Sequence, residues 1–421
     1  MQSLYIKGGR PLQGEVTVGG AKNAVLPILA ASLLTEETCR ITRVPNLSDV
    51  RFMAQILESL GASVSVDKGV VEVTAKNITP FGDYELIRKM RGSICILGPL
   101  LSRLREARVS LPGGCIIGAR PIDLHLKGLR ALGCDIRLEG GYVIAKAPEL
   151  RGTDIFLGGR AGPSVLGTAN VMMAAVLAEG KTIITSAACE PEVTDLAEFL
   201  QKMGAKISGA GSPTLCIEGV EKLHGCDHEV IPDRIEAATF AIAAAATHGD
   251  VTVKDCQPGH MQAVIDKLRE CGVKLLTDGT SMRAFRDGPL QRIDITTLPY
   301  AGFPTDVQAQ MMALLVATPG VSIITERIFE SRFMHVSELS RMGADITIEG
   351  PSAIVMGGNS LSGAPVMASD LRASAALIIA GLMAVGETEV KRIYHLDRGY
   401  EQMDVKLRNL GAEIERREAS S

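Results

Sequence analysis

Two apolar patterns alternate along the chain. In the first, small apolar residues run almost unbroken for ten positions or more, as in 21–34, 165–178, 237–246 and 371–383. A helix apolar on every side is a buried helix. In the second, apolar residues recur at three-and-four spacing, as Val50, Met53, Ile56, Leu57 and Leu60 do. That spacing predicts an amphipathic helix with one face on a core. Each amphipathic run stops at a glycine, namely Gly61, Gly133, Gly204, Gly272, Gly343 or Gly411. Glycine just past a helix end takes the left-handed conformation that closes the last turn. The six recur about every 70 residues, too long a period for the common solenoids, so the chain reads as six copies of one unit.

The fifth copy shows how a unit is built. Pro304-Thr305-Asp306 opens an apolar helix over 307–317, with Asp306 expected as its cap, and Gly320 stops it. A β-branched strand follows over 321–326. A loop over 327–332 leads to a second helix over 333–342. Strands over 344–348 and 352–356 are joined by the turn Glu349-Gly350-Pro351. With one more strand in front, each unit holds an inner apolar helix, an outer amphipathic helix and a sheet. Three units closing about one axis bury three inner helices, and six make two similar domains. The break is expected near 220–232, and the usual place for a site is the cleft between two such domains.

At 421 residues, two domains are also the natural prior from length. Aromatic residues make up only 4% and Trp is absent, so the cores must be packed with Ala, Leu, Ile, Val and Met. A net charge of −4 excludes bulk attraction to nucleic acid, so an anionic ligand needs local cations. The apolar runs are too short to cross a bilayer. The segment MQSLYIKGGR has no apolar leader, and nine cysteines in so long a chain are no disulfide framework. A reduced, cytoplasmic, enzyme-like protein is expected.

Function should sit where the units differ. The second copy carries an enlarged loop, LPGGCIIGARP over 111–121, rich in glycine and suited to closing on a ligand. Cys115 lies in it five residues from Arg120, a cation that would lower a thiol's pKa. The alternative is that Cys115 is one of nine ordinary thiols. Polar residues cluster where inner helices begin: Lys22-Asn23, Arg91, Arg234, Asp306 and Asp370-Leu371-Arg372. Helix N-termini favour anions, and Arg binds phosphate or carboxylate with two parallel hydrogen bonds. Arg120, Arg332 and Arg398 stand before outer helices. Capping and surface charge explain any one of these; their recurrence at equivalent places points to a ligand with several negative charges. Cys216, His224, Cys226 and His228 fit no standard zinc spacing, and Gly19-Gly20-Ala21-Lys22-Asn23 falls short of a phosphate loop, so no metal and no cofactor is expected.

Several runs are more specific: GGAKNAVLP at 19–27, MRGSICILGPL at 90–100, LPGGCIIGARPIDLHLKGL at 111–129, PDRIEAATF at 232–240, FPTDVQAQ at 303–310, ESRFMHVSELSRMGA at 330–344, DLRASAAL at 370–377 and YHLDRGYE at 394–401. On these the chain resembles, over its full length, the UDP-N-acetylglucosamine 1-carboxyvinyltransferase family of enolpyruvyl transferases. The resemblance implies an α/β fold of two inside-out α/β barrels, each of three βαβαββ repeats. One domain would span 22–229 and the other 1–21 plus 230–421, with the active site in the cleft between them.

The resemblance also implies a reaction. The enolpyruvyl group of phosphoenolpyruvate passes to the 3′-hydroxyl of UDP-N-acetylglucosamine by addition and elimination, as the first committed step of peptidoglycan synthesis, and phosphate leaves. Cys115 matches the family acid and Asp306 the residue at the sugar hydroxyl. Lys22, Arg120 and Arg398 match groups around phosphoenolpyruvate, assisted by Arg332 and Arg372. Asn23, Arg91, Ile328 and Asp370 match further substrate positions. Arg120, Pro121, Ile122, Asp123 and Leu124, with Ser164, Val165 and Gly167, match nucleotide-binding segments. Ser-Val-Leu-Gly stands where the family commonly has Ser-Val-Gly-Ala. The family is the target of fosfomycin. No nucleic acid or membrane partner is implied, and the site needs no oligomer. The alternatives are a shikimate-type enolpyruvyl transferase and a non-catalytic sugar-nucleotide-binding paralogue.

Overall fold

The computed structural model describes residues 2–113 and 121–418. These divide into two compact units, one of residues 20–113 and 121–231, the other of residues 2–19 and 232–418. Cys115 and Arg120 lie outside the described residues.

The fifth repeat realises the expected unit. Strand Ile295–Thr296 pairs in parallel with Gly320–Thr325, which is antiparallel to Ser352–Gly357, itself antiparallel to Asp345–Glu349. The parallel step demands a crossover, and the inner helix Gln308–Val316 supplies it. The second and third repeats have the same four-strand order. Three sheets are completed by chain from elsewhere. Asp227–Glu229 gives the first repeat its parallel edge on Cys39–Thr42. Gln13–Thr17 does the same for the fourth repeat on Asp250–Lys254. Gln2–Lys7 lies between Glu387–Lys391 and Glu413–Glu418 in the sixth, antiparallel to both. The first strands of the chain therefore belong to the unit that ends it.

Each unit has its own core with helices inside and sheets outside. In the unit ending the chain, Arg234–Ala246, Gln308–Val316 and Leu371–Met383 touch one another, and every residue of the first is buried. Their alanines and short side chains permit the close approach that an aromatic-poor sequence predicts. In the other unit, Leu97–Leu104 packs on Val165–Ala175, which meets Lys22–Ala31. Gly98 lies so close to the neighbouring helix that its N–H donates to Asn170 Oδ1 at 2.8 Å.

All six turn glycines have φ between 92° and 101°, the left-handed region. The outer helix of the fifth repeat is shorter than expected, Val336–Arg341 rather than 333–342. Arg332 N–H donates to Phe329 O and Phe333 N–H to Ser331 O, so the preceding backbone is spent on turns. No helix of the described residues is long and apolar enough to cross a membrane.

The two kinds of glycine should respond differently to a methyl group. A Cβ on Gly98 would stand 2.3 Å from Asn170 O, whereas one on Gly411 would meet nothing nearer than 3.9 Å. Gly411→Ala should cost about 1–2 kcal/mol from backbone conformation alone. Gly98→Ala should cost more, about 3 kcal/mol, because two helices must part. Urea unfolding of both variants checks this; a Gly98→Ala protein as stable as Gly411→Ala contradicts the close inner packing.

Candidate functional site

In the unit of residues 20–231, the first turn of helix Lys22–Ala31 carries Lys22 and Asn23. Lys22 Nζ is 2.7 Å from Asp49 Oδ2. Asp49 is buried, so the pair holds the ammonium in one place instead of leaving it on a free stem. Arg91 opens the short helix Arg91–Ile96 that leads into Leu97–Leu104. Near it, burial pushes the His125 imidazole down to about 4, and the Arg91 charge adds to the effect. His125 is therefore neutral at pH 7, and its Nδ1 lies 2.8 Å from Asn170 Nδ2 as acceptor.

Pro121 and Ile122 lead into helix Asp123–Ala131, whose first turn holds Asp123 and Leu124. Ser164 caps helix Val165–Ala175 by accepting from Gly167 N–H at 3.1 Å. A Cβ on Gly167 would lie 2.9 Å from Ser164 Oγ and 3.6 Å from Leu124 Cβ. Leu124 is thus brought against the Ser164-to-Gly167 turn, forty residues on in the sequence.

In the other unit, Asp306 does not cap its helix, as the sequence pattern had suggested. The turn Thr305–Val307 has no side-chain cap, and two guanidiniums take the carboxylate instead. Arg332 Nη1 donates to Asp306 Oδ1 at 2.9 Å and Arg372 Nη2 to Oδ2 at 3.1 Å. The Asp306 side chain is 26% exposed, while Arg332 is 5% and Arg372 2%. Two deeply buried cations thus meet one carboxylate that still reaches solvent. Burial alone would push the Asp306 carboxyl up, but the Arg372 and Arg332 charges and hydrogen bonds outweigh it and hold it well below the usual range.

Arg372 lies under the Tyr400 ring, 5.3 Å from its centroid, and its Nε and Nη1 make no hydrogen bond among the described residues. A buried guanidinium with unused donors suits an anion. Gln310 Nε2 ties Tyr400 Oη at 3.1 Å and Thr239 Oγ1 at 3.2 Å to the Asp306 carbonyl at 2.9 Å. Asp370 caps its helix, accepting from Arg372 N–H at 2.8 Å and Ala373 N–H at 3.2 Å. Its position at the head of an inner helix thus has a structural cause. Arg398 ends the short helix Ile393–Arg398, and Arg234 stacks on Tyr300 at 5.5 Å. Ile328 N–H is held by Glu326 Oε1 at 2.9 Å.

Asp49, Glu326, Tyr400 and Gln310 were not singled out from sequence. Asp49 meets Lys22 and Tyr400 meets Arg372 across distant parts of the chain, whereas Gln310 and Glu326 reach Asp306 and Ile328 locally. The one local signal was the position of Gln310 and Tyr400 inside the specific runs and of Glu326 near one; Asp49 had none. His228, once a candidate in a doubtful metal set, lies 2.9 Å from Asp195 and 3.1 Å from Lys202. The described residues contain no group of three or more His, Cys, Asp or Glu side chains that could hold a metal ion.

The clamp on Asp306 has a consequence for stability. A depressed carboxyl contributes stability that is present above the unfolded value of about 3.9 and is lost as pH falls through the folded value. Asp306→Asn leaves Arg332 and Arg372 facing each other without the charge between them. At pH 7 the variant should be less stable by on the order of 2 kcal/mol, below the range for a fully sealed pair because Asp306 is partly open. The gap to the wild type should narrow below about pH 3.9. Urea unfolding across this pH range reads both effects, and a gap that stays constant contradicts the clamp.

Residues 6–407 match the family model of EPSP synthase (3-phosphoshikimate 1-carboxyvinyltransferase). The chain is 56% identical to UDP-N-acetylglucosamine 1-carboxyvinyltransferase of Methylacidiphilum infernorum and 54% identical to that of Desulfosudis oleivorans, with 99% of each chain covered in both cases. Among solved structures it is similar to the enolpyruvyl transferase NikO from Streptomyces tendae, with a TM-score of 0.90 at 26% identity over 100% of this chain and 99% of that one. EPSP synthase from Acinetobacter baumannii shares the fold, with a TM-score of 0.74 at 20% identity over 99% and 100% of the two chains. With a six-repeat fold and a full-length likeness to these proteins, the chain belongs to the EPSP synthase family of enolpyruvyl transferases and, within it, to the UDP-N-acetylglucosamine 1-carboxyvinyltransferases.

Proposed function

We propose that this protein transfers the enolpyruvyl group of phosphoenolpyruvate to the 3′-hydroxyl of UDP-N-acetylglucosamine, releasing phosphate, as a cytoplasmic step that commits the sugar nucleotide to peptidoglycan and so serves cell shape and division. The observation that carries this reading is the likeness, over 99% of the chain, to proteins named for that activity. The charge pattern supports it: cations at Lys22, Arg91, Arg332, Arg372 and Arg398 suit a substrate pair rich in phosphate and carboxylate.

In the addition step, the 3′-oxygen bonds to C2 of phosphoenolpyruvate, its proton passes toward Asp306, and the Cys115 thiol delivers a proton to C3. The product is a tetrahedral ketal. In the elimination step the C2–O bond to phosphate breaks, phosphate leaves with the proton taken up by Asp306, a proton passes from C3 back to the Cys115 thiolate and the vinyl ether forms. Lys22, Arg120, Arg332, Arg372 and Arg398 offset charge on phosphate and carboxylate, while Asn23, Arg91, Ile328 and Asp370 line the substrates. Residues 121–124 with Ser164, Val165 and Gly167 hold the nucleotide.

Asp306 carries a tension within this scheme. A carboxylate held well below the usual range is a weak general base. Its first role is therefore to accept a hydrogen bond from the sugar hydroxyl and orient it. Its basicity returns when the anionic groups of phosphoenolpyruvate draw on the same two guanidiniums.

A shikimate-type acceptor is the second reading, favoured by the description of the matching family model. Phosphate release from phosphoenolpyruvate with each acceptor separates the two. The account expects turnover with UDP-N-acetylglucosamine and none above background with 3-phosphoshikimate; the reverse overturns it. Cys115→Ala should remove at least about 99% of turnover, the scale of a lost general acid, and should abolish the single covalent adduct expected from fosfomycin. Full activity in that variant rules Cys115 out as the acid.

A further inference from the structure

Behind the Asp306 clamp stands a carboxylate that the reaction scheme leaves without a role. Glu326 has no exposed surface. Its two oxygens do different work. Oε1 accepts from Ile328 N–H at 2.9 Å, Phe329 N–H at 3.0 Å and Thr297 Oγ1 at 2.5 Å. Oε2 accepts from Thr305 Oγ1 at 2.9 Å. Thr297 Oγ1 in turn accepts from Arg327 N–H at 2.9 Å. One oxygen therefore gathers the backbone of the loop that carries Arg332, and the other holds the residue preceding Asp306.

Both grips converge on Arg332. Its Nη1 donates to Thr305 Oγ1 at 2.9 Å as well as to Asp306. Its guanidinium sits 5.8 Å from the centroid of the Phe329 ring, and Glu326 holds the Phe329 N–H. The proton directions are forced. Arg332 can only donate, so the Thr305 oxygen accepts from it and the Thr305 O–H is spent on Glu326. A hydroxyl that donates to a carboxylate is a better acceptor for the next donor, so the relay tightens the Arg332 contact.

The alternative is that Glu326 merely satisfies a buried loop. Asn or Gln at this position would satisfy the two backbone N–H groups equally well. A carboxylate costs more to bury than an amide, but both of its oxygens accept, so it can take the Thr305 O–H where an amide would present only N–H donors.

We propose that Glu326 is a positioning residue for the transferase reaction, setting Arg332 against Asp306 through the Thr305 hydroxyl and the loop backbone. This rests on the enolpyruvyl transfer assigned above. It acts on the orientation of the carboxylate that receives the sugar hydroxyl, so its loss should appear in kcat and not in binding of the sugar nucleotide.

The test measures phosphate release from phosphoenolpyruvate and UDP-N-acetylglucosamine by the full-length protein. Four variants are compared: Glu326→Gln, Thr305→Val, Thr305→Ser and the double variant Glu326→Gln/Thr305→Val. Glu326→Gln keeps an oxygen for the loop, but its amide nitrogen cannot accept from Thr305. The expected result is a fall in kcat on the order of tenfold for Glu326→Gln and for Thr305→Val, with KM for the sugar nucleotide within about twofold of wild type. Thr305→Ser keeps the hydroxyl and should keep wild-type kcat. The double variant should be no slower than the slower single one, because both changes cut the same path. Wild-type kcat in folded Glu326→Gln and Thr305→Val overturns the proposal, as does a Thr305→Ser protein as slow as Thr305→Val or a double variant whose losses multiply. If Glu326→Gln fails to fold, the Thr305→Val and Thr305→Ser pair decides. A wild-type protein that releases no phosphate from this substrate pair ends the functional assignment and the proposal with it, whereas an active wild type with unaffected variants ends the proposal alone.

Discussion

One carboxylate lies between two buried cations, and the chemistry proposed for this protein depends on that arrangement. Arg332 and Arg372 are each almost wholly removed from water, and Asp306 is the anion that both reach. Burying either guanidinium without a partner would be costly, so the carboxylate helps to make both positions tenable. In return they keep it ionised and pointed. The unused donors of Arg372 add a demand that a phosphate or carboxylate can meet. The site is thus built around a charge set that is balanced only in part before a substrate arrives.

The repeat explains how such a set is assembled. Each unit brings an inner helix to the middle of its barrel and ends its outer helix at a left-handed glycine. The scaffold is the same each time, so the residues at the helix starts are free to differ. Ser164, Asp233 and Asp370 spend their side chains on capping. Lys22, Arg91 and Asp306 stand at corresponding places and do not cap. Conserving the scaffold while varying the first turn lets one fold hold several cations at ends where the helix itself already attracts anions.

Much of the fold is visible in the sequence because each signal is local. An all-apolar run means a buried helix, and a glycine after an amphipathic run means a turn; both kinds of evidence repeat six times. The strands that complete the first, fourth and sixth sheets are different. Asp227–Glu229, Gln13–Thr17 and Gln2–Lys7 pair with partners up to several hundred residues away, and nothing in their own pattern announces it. The site divides in the same way. Asp306, Arg332 and Arg372 stand out as charges where apolar helices begin or loops turn. Tyr400 on Arg372, Glu326 on Thr305 and, in the other unit, Asp49 on Lys22 do not, since a single Glu, Tyr or Asp beside a strand or helix carries no mark of what it touches. The same blindness made Asp306 read as a cap, for an Asp at a helix start looks alike whether it faces backbone N–H groups or two distant arginines.

The most direct measurement is the titration of the Asp306 carboxyl itself, followed by carbon-13 NMR in protein labelled at aspartate and assigned with the Asp306→Asn variant. If Arg332 and Arg372 dominate its surroundings, the resonance stays at its ionised position as pH falls from 7 to about 4, the ordinary carboxylate value. A midpoint at or above that value shows that burial outweighs the two guanidiniums, and it contradicts the arrangement on which the account depends.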